Sequence, residues 1–177
     1  MLPYLTLVLG GANSGKSAFA EGLMRNTELR RIYIATAQAF DVEMRAKIDA
    51  HRTARGAGWH TVEAPLAAAA ALQSCRAGDA VLLDCATLWL SNHLLADHDL
   101  ETECAALLAA LAGAPCPVVV VSNEVGMGIV PDNALARRFR SAQGRLNRDL
   151  AAQAALVVAV MAGLPMVLKG QLPEASA

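Results

Sequence analysis

Residues 10–17 read GGANSGKS. An apolar, β-favouring run, YLTLVLG (4–10), ends at the first glycine, and a helix-compatible segment, SAFAEGLMRN (17–26), starts at the serine. This strand, glycine turn and helix constrain the fold more than any other feature of the chain. The spacing is G-x-x-x-x-G-K-S, with Gly10, Gly15, Lys16 and Ser17 in the defining places. Glycines let successive backbone N–H groups turn inward, and the helix N-terminus adds partial positive charge, so the turn is built to receive phosphate oxygens. Lys16 is placed to neutralise the β- and γ-phosphates of a nucleoside triphosphate, and Ser17 to hold Mg²⁺. The motif leaves the acceptor of any transferred group open.

The rest of the chain continues the alternation. RRIYIATA (30–37), WHTVEAP (59–65), AVLLDC (80–85) and CPVVVVSN (116–123) read as strands. Between them, DVEMRAKIDAHRTAR (41–55), LAAAAALQSC (66–75) and DNALARRFRSAQGRLNRDLAAQA (132–154) read as helices. Near-continuous apolar strands separated by helices predict an α/β fold with a mostly parallel sheet covered on both faces. ALVVAVMAG and PMVLKG follow each other too closely for a crossover, which predicts an antiparallel C-terminal strand pair. The 177 residues suit a single domain, 1–177, and the GQLPEASA tail is expected to fray.

Composition narrows the function. Hydrophobic residues make up 55% and charged residues 18%, which excludes a disordered chain, and a net charge of −1 argues against a general nucleic-acid or membrane-surface binder. No basic leader or membrane span is read, so a cytoplasmic protein is expected. Cys75, Cys85, Cys104 and Cys116 lack zinc-type spacing and are expected to be buried and reduced.

Two further places carry chemistry. Asp84 closes the AVLLD run, where a second acidic group beside Mg²⁺ belongs; capping of the next helix is the lesser alternative. The second is a strip in which Lys47, His51 and Arg55 lie four apart, with Arg52 beside the histidine and Met44 and Ile48 on the inward face. Spacing alone leaves two readings of the strip. It is a solvated basic helix face, the commoner outcome, or a polyphosphate site whose cations keep the imidazole neutral and nucleophilic. His60, His93 and His98 have no comparable setting. SNEVGMGIVP (122–131) puts Asn123 and Glu124 at a strand end, where open α/β sheets bind ligands. Arg137, Arg138 and Arg140 follow, to meet phosphates, another subunit or water.

The segments GGANSGKS, YIATAQAFDVEM, KIDAHRTARGAGWHTVE, LLDCATLWLSN and VSNEVGMGIVPDNALARRFRSAQGRLNR resemble, in order and spacing, the bifunctional adenosylcobinamide kinase/adenosylcobinamide-phosphate guanylyltransferases of cobalamin synthesis. The resemblance spans nearly the whole chain and implies a homotrimer with a RecA-like phosphate-loop fold. It implies phosphorylation of adenosylcobinamide by ATP or GTP, then transfer of GMP from GTP through a histidine to adenosylcobinamide phosphate, with Mg²⁺. The family's nucleophile falls on His51 in IDAHRTAR, with Lys16 as its catalytic partner. The nucleotide contacts fall on Gly10, Gly11, Ala12, Asn13, Ser14, Gly15, Lys16 and Ser17, on Ala35, Thr36 and Ala37, on Arg52, Thr53, Ala54 and Arg55, and on Glu63 and Asp84. Ser17 and Asp84 are the implied metal ligands. Asn13, Ser141 and Arg148 depart from residues common in the family. Two other classes share the phosphate loop: a simple small-molecule kinase with direct γ-transfer, and a RecA-like ATPase acting on protein or nucleic acid.

Overall fold

A computed structural model describes residues 1–39, 45–46, 52–53 and 55–173. Seven strands form one sheet: β1 (Leu5–Gly10), β2 (Arg30–Ala35), β3 (Trp59–Glu63), β4 (Asp79–Asp84), β5 (Val118–Asn123), β6 (Leu156–Met161) and β7 (Leu164–Lys169). Among the described residues the helices α1 (Lys16–Arg25), α2 (Ala68–Gln73), α3 (Ala86–Leu95), α4 (Leu100–Ala112) and α5 (Ala134–Gln153) accompany them. The strand order is β3-β2-β4-β5-β1-β6-β7. All pairings are parallel except β6 with β7, which run antiparallel as the short connection predicts.

Side chains of alternate strand residues point to opposite faces, and the two faces bury separate cores. Leu5, Leu7, Ile32, Ile34, Val81, Leu83, Val118 and Val120 pack on one side with residues of α2 to α5 such as Leu72, Trp89, Leu107 and Leu146. Val8, Tyr33, Leu82, Val119, Val121 and Val158 pack on the other with Ala20 and Met24 of α1. The inner strands β4 and β5 are buried on both faces, which is why they read as unbroken apolar runs.

Helices α3 and α4 were not anticipated as elements. Ala86–Leu95 is buried on most sides, so it lacks the one-sided stripe that marks an amphipathic helix. Its start is capped by the Cys85 thiol, which accepts from the Leu88 N–H, while Asp99 caps α4. The cysteines are all free, but only Cys85 and Cys116 are buried; Cys75 and Cys104 sit at the margin of the helical layer and are partly exposed. Most of the helix expected over 41–55 lies outside the described residues, as do residues 174–177 of the tail. Arg45, Ala46, Arg52, Thr53 and Arg55 themselves have helical backbone. Among the described residues no helix is long and apolar enough to cross a membrane.

One ion pair fixes the entry to two adjacent strands. Asp79 accepts Arg30 Nε at 2.7 Å and Nη2 at 3.0 Å, plus the Arg76 N–H at 2.8 Å. The side-chain hydrogen bond from Arg30 holds the Asp79 carboxyl below its ordinary pKa. A depressed folded-state pKa means that this stabilisation is complete above the ordinary carboxylate pKa of about 4 and is lost as pH falls through the folded value. Because Arg30 is open to solvent, Asp79→Ala is expected to cost about 1–3 kcal/mol at neutral pH rather than the full penalty of a buried pair. Urea unfolding at pH 7 and pH 3 checks this: the gap between wild type and variant should shrink at the lower pH.

Candidate functional site

The parallel strands end together, and the loops that leave them enclose a cleft of about 750 Å³. The turn after β1 leads into it: Lys16 and Ser17, at the start of α1, line the cleft, whereas Gly10, Gly11, Ala12, Asn13, Ser14 and Gly15 do not. Gly15 adopts φ +91° and Asn13 φ +55°, so the chain folds back before α1 starts at Lys16. Three backbone bonds hold the turn: Ser14 N–H to Gly11 O at 3.3 Å, Gly163 N–H to Ser14 O at 2.8 Å, and Glu124 N–H to Gly10 O at 3.1 Å. The C-terminal hairpin therefore braces the glycine turn from behind. A Cβ on Gly10 would collide with Ser14 Oγ and lie 2.6 Å from the Val160 carbonyl. Lys16 Nζ donates to Gly11 O at 3.0 Å, which lays the ammonium over the loop.

Lys16, Ser17, Ala35, Ala37, Arg52, Arg55, Glu63 and Asp84 line the cleft together. The sequence-derived residues thus converge from five separate segments. Thr36 sits beneath the wall instead, fully buried; its hydroxyl donates to Cys85 O at 2.8 Å and accepts the Cys85 N–H at 2.7 Å. It ties the end of β2 to the chain just beyond Asp84. Thr53 is exposed and does not line the cleft, and His51 and Ala54 lie outside the described residues.

Tyr33, Gln38, Thr61, Pro65, Cys85, Leu88 and Asn123 also line the cleft; of these only Asn123 was singled out from the sequence. Tyr33 links the two charged walls. Its phenol donates to Asp84 Oδ2 at 3.3 Å, and the Arg55 guanidinium lies over its ring with Cζ 3.4 Å from the centroid. Burial, reinforced by the Asp84 carboxylate, raises the phenol's pKa and keeps it a protonated donor. Arg55 is 7% exposed and also donates to Thr61 Oγ1 at 3.3 Å. A buried cation on an aromatic face, aimed into a cleft with a lysine, suits a polyanion. The position of Tyr33 near the C-terminal end of a parallel strand is the signal that would have found it. Cys85 is no competing nucleophile: burial pushes its thiol up to about 11.

Behind the cleft a buried polar network sets the end of β5. Ser122 Oγ donates to Asn147 Oδ1 at 2.7 Å, Gln143 Nε2 donates to both atoms at 2.9 Å, and Asn147 Nδ2 donates to Asn123 O at 3.0 Å. The Thr87 hydroxyl accepts the Asn123 N–H at 2.7 Å. Among the described residues Asn123 Oδ1 is buried with no hydrogen-bond partner, an acceptor ready for a ligand donor. The loop after β5 is braced by arginines: Arg140 donates to Gly126 O and Ile129 O, and Arg137 to Pro131 O and Asp132 O. Arg138 instead approaches Asp97 at 4.0 Å. Those three side chains are thus engaged with this chain.

A family model described as cobinamide kinase / cobinamide phosphate guanyltransferase matches residues 6–168. The bifunctional adenosylcobalamin biosynthesis protein CobP of Pseudomonas aeruginosa is 48% identical over 93% of this chain and 97% of its own length. CobU of Salmonella typhimurium, with the same description, is 40% identical over 93% of this chain and 99% of its own. Among solved structures, an ATPase of a bacterial type III secretion system aligns over 92% of this chain and 56% of that one, with TM-score 0.56 and 9% identity. A protein from Pyrococcus horikoshii OT3 aligns over 99% of this chain and 91% of that one, with TM-score 0.53 and 9% identity. These structural likenesses bear on the fold alone, and they agree with a RecA-like phosphate-loop sheet.

Proposed function

The chain belongs to the cobinamide kinase / cobinamide phosphate guanyltransferase family, and from that premise we propose that it runs two transfers at one cleft, the second through a guanylyl group carried on His51. The observation that carries this reading is the meeting of the two halves of the sequence pattern. Arg52 and Arg55, from the strip that contains His51, line the same cleft as Lys16, Ser17 and Asp84.

In the first transfer the aminopropanol hydroxyl of adenosylcobinamide attacks the γ-phosphorus of ATP or GTP. The bond to the β-phosphate oxygen breaks, and the nucleoside diphosphate leaves. The glycine turn holds the phosphates by backbone N–H groups, and Lys16 offsets the charge that builds on the leaving group. In the second transfer a neutral His51 ring nitrogen attacks the α-phosphorus of GTP. An N–P bond forms, the α–β P–O bond breaks, and pyrophosphate departs. A phosphate oxygen of adenosylcobinamide phosphate then attacks the same phosphorus, forming P–O–P and returning the imidazole. Arg55, held rigid on Tyr33, and Arg52 are placed to stabilise charge on the transferred group.

Ser17 and Asp84 offer a hydroxyl and a carboxylate on the walls of one cleft, a hard oxygen set that fits Mg²⁺. When bound, Mg²⁺ supplies positive charge against the triphosphate.

Intact-mass measurement after incubation with GTP and Mg²⁺ tests the proposal. One GMP adduct per chain is expected, acid-labile and discharged by adenosylcobinamide phosphate. A folded, nucleotide-binding protein that stays unmodified would reduce the reading to a kinase with direct γ-transfer.

A further inference from the structure

The corner between α3 and α4 lies away from the cleft and brings three ligating side chains together. Helix α3 ends in a paired turn: Asp97, with φ +55°, donates its N–H to Leu94 O at 3.2 Å, and His98 donates its N–H to His93 O at 3.0 Å. This is the Schellman arrangement, in which the residue two beyond the cap packs on the third residue from the helix end, normally through apolar side chains. Here those two residues are His98 and His93. The next residue, Asp99, caps α4 by accepting the Glu101 N–H at 3.1 Å. At a capped start, the residue before the cap packs on the fourth residue of the helix, again normally through apolar groups. Those residues are His98 and Glu103. A single connection therefore seats His98 against both, in two positions where a hydrophobic contact is the ordinary choice.

The side chains follow that geometry. His93 Nδ1 lies 2.9 Å from His98 Nδ1 and 3.7 Å from a Glu103 carboxylate oxygen. All three ligand atoms lie within 4.8 Å of one another. The tautomer of His93 is fixed by its other nitrogen. Nε2 stands 3.1 Å from the carbonyl of Leu66, which can only accept, so Nε2 carries the hydrogen. In the neutral ring Nδ1 is then a bare lone pair, and it points at His98. A ring nitrogen tied to a backbone carbonyl, with the opposite nitrogen free, is the outer-shell arrangement of metal-bound histidines. The ring is 2% exposed and packs on Trp89 at 4.6 Å between centroids, so it is pre-oriented. Glu103 remains partly open to solvent, which leaves an approach for the ion and for a water ligand.

We propose that His93 Nδ1, His98 Nδ1 and the Glu103 carboxylate form a site for a divalent transition ion of the zinc class, completed by water. Two imidazoles and one carboxylate are a donor set that Zn²⁺ accepts in tetrahedral geometry. Without the ion, His98 Nδ1–H donates to His93. With it, His98 moves its hydrogen to Nε2 and no net proton is released. Metal–nitrogen bonds near 2 Å require the two Nδ1 atoms to part by roughly half an ångström. Rotation of the more exposed His98 ring supplies this. The bound ion staples the α3–α4 corner. Helix α3 is itself anchored near the cleft by Asn92, whose Nδ2 donates to Thr36 O at 2.8 Å and to Pro65 O at 2.9 Å.

The experiment uses the full-length protein stripped with EDTA and titrated with Co²⁺, then with Zn²⁺. Visible d–d absorption typical of tetrahedral Co²⁺, saturating at one ion per chain and displaced by Zn²⁺, is expected, with a rise in the melting temperature. His98→Ala and Glu103→Gln, both away from the buried ring, should each weaken binding at least tenfold and leave nucleotide binding unchanged. Absence of the absorption in wild type overturns the proposal. So does one-to-one binding that His98→Ala leaves intact, which would place the ion at the cysteines or elsewhere.

Discussion

A His51→Ala chain is expected to show no GMP adduct after exposure to α-³²P GTP and Mg²⁺. Its labelling should fall by at least about a thousandfold, to background, because removing the attacking atom of a covalent route leaves only uncatalysed chemistry. Binding of the triphosphate should survive, since the glycine turn, Lys16, Ser17 and Asp84 remain. Phosphorylation of adenosylcobinamide should survive too, because in the proposed route that transfer does not pass through the ring. The variant is thus expected to separate the two halves of the activity. It should make adenosylcobinamide phosphate, leave pyrophosphate unreleased and accumulate the intermediate product. Retained labelling in His51→Ala would move the nucleophile elsewhere and leave the strip as a set of charges.

The second large effect is expected from one methyl group. Gly10→Ala puts a Cβ against Ser14 Oγ and 2.6 Å from the carbonyl of Val160. The first obstacle is the end of a small side chain. The second is backbone of β6, an inner strand paired to β1 and β7, and it has no room to retreat. Either the turn moves or the sheet spreads. Overpacking of this kind costs about 1–3 kcal/mol of stability. A shift of the turn spoils the inward aim of its N–H groups, so nucleotide affinity should fall by a hundredfold or more, as for loss of about 3 kcal/mol. Gly22→Ala is the control. That glycine lies inside α1 and a Cβ there meets nothing within 4 Å, so the change should stabilise by about 0.5–1 kcal/mol. Titration with a fluorescent GTP analogue and urea unfolding of both variants make the comparison. Equal affinity in Gly10→Ala and wild type would refute the role given to the turn.

The sheet and its phosphate turn were legible because they are written locally. GGANSGKS needs only its own spacing and its flanks, and the valines of β5 announce a strand buried on both faces. Asp84 was legible because strand ends in parallel sheets all face one edge. What stayed hidden depends on partners far along the chain. The stacking of Arg55 on Tyr33 joins residues of separate segments, and nothing in either segment marks the pair. Thr36 looked like a nucleotide contact beside Ala35 and Ala37, yet its hydroxyl is spent on the backbone of Cys85. Helix α3 was hidden by its own burial, since a helix surrounded by protein has no polar face to set its period. His93 and His98 looked isolated for a related reason. Their partnership comes from a turn geometry and a cap, and spacing rules for continuous helices do not cover it.

The strand order has a consequence for biosynthesis. β1 leaves the ribosome before β5 and β6, between which it lies, and the turn after it is tied to Gly163 at the tip of the β6–β7 hairpin. The phosphate turn must therefore wait for the β6–β7 hairpin before it is braced. A nascent polypeptide arrested before that hairpin emerges should be blind to nucleotide, and recognition should switch on abruptly once it does.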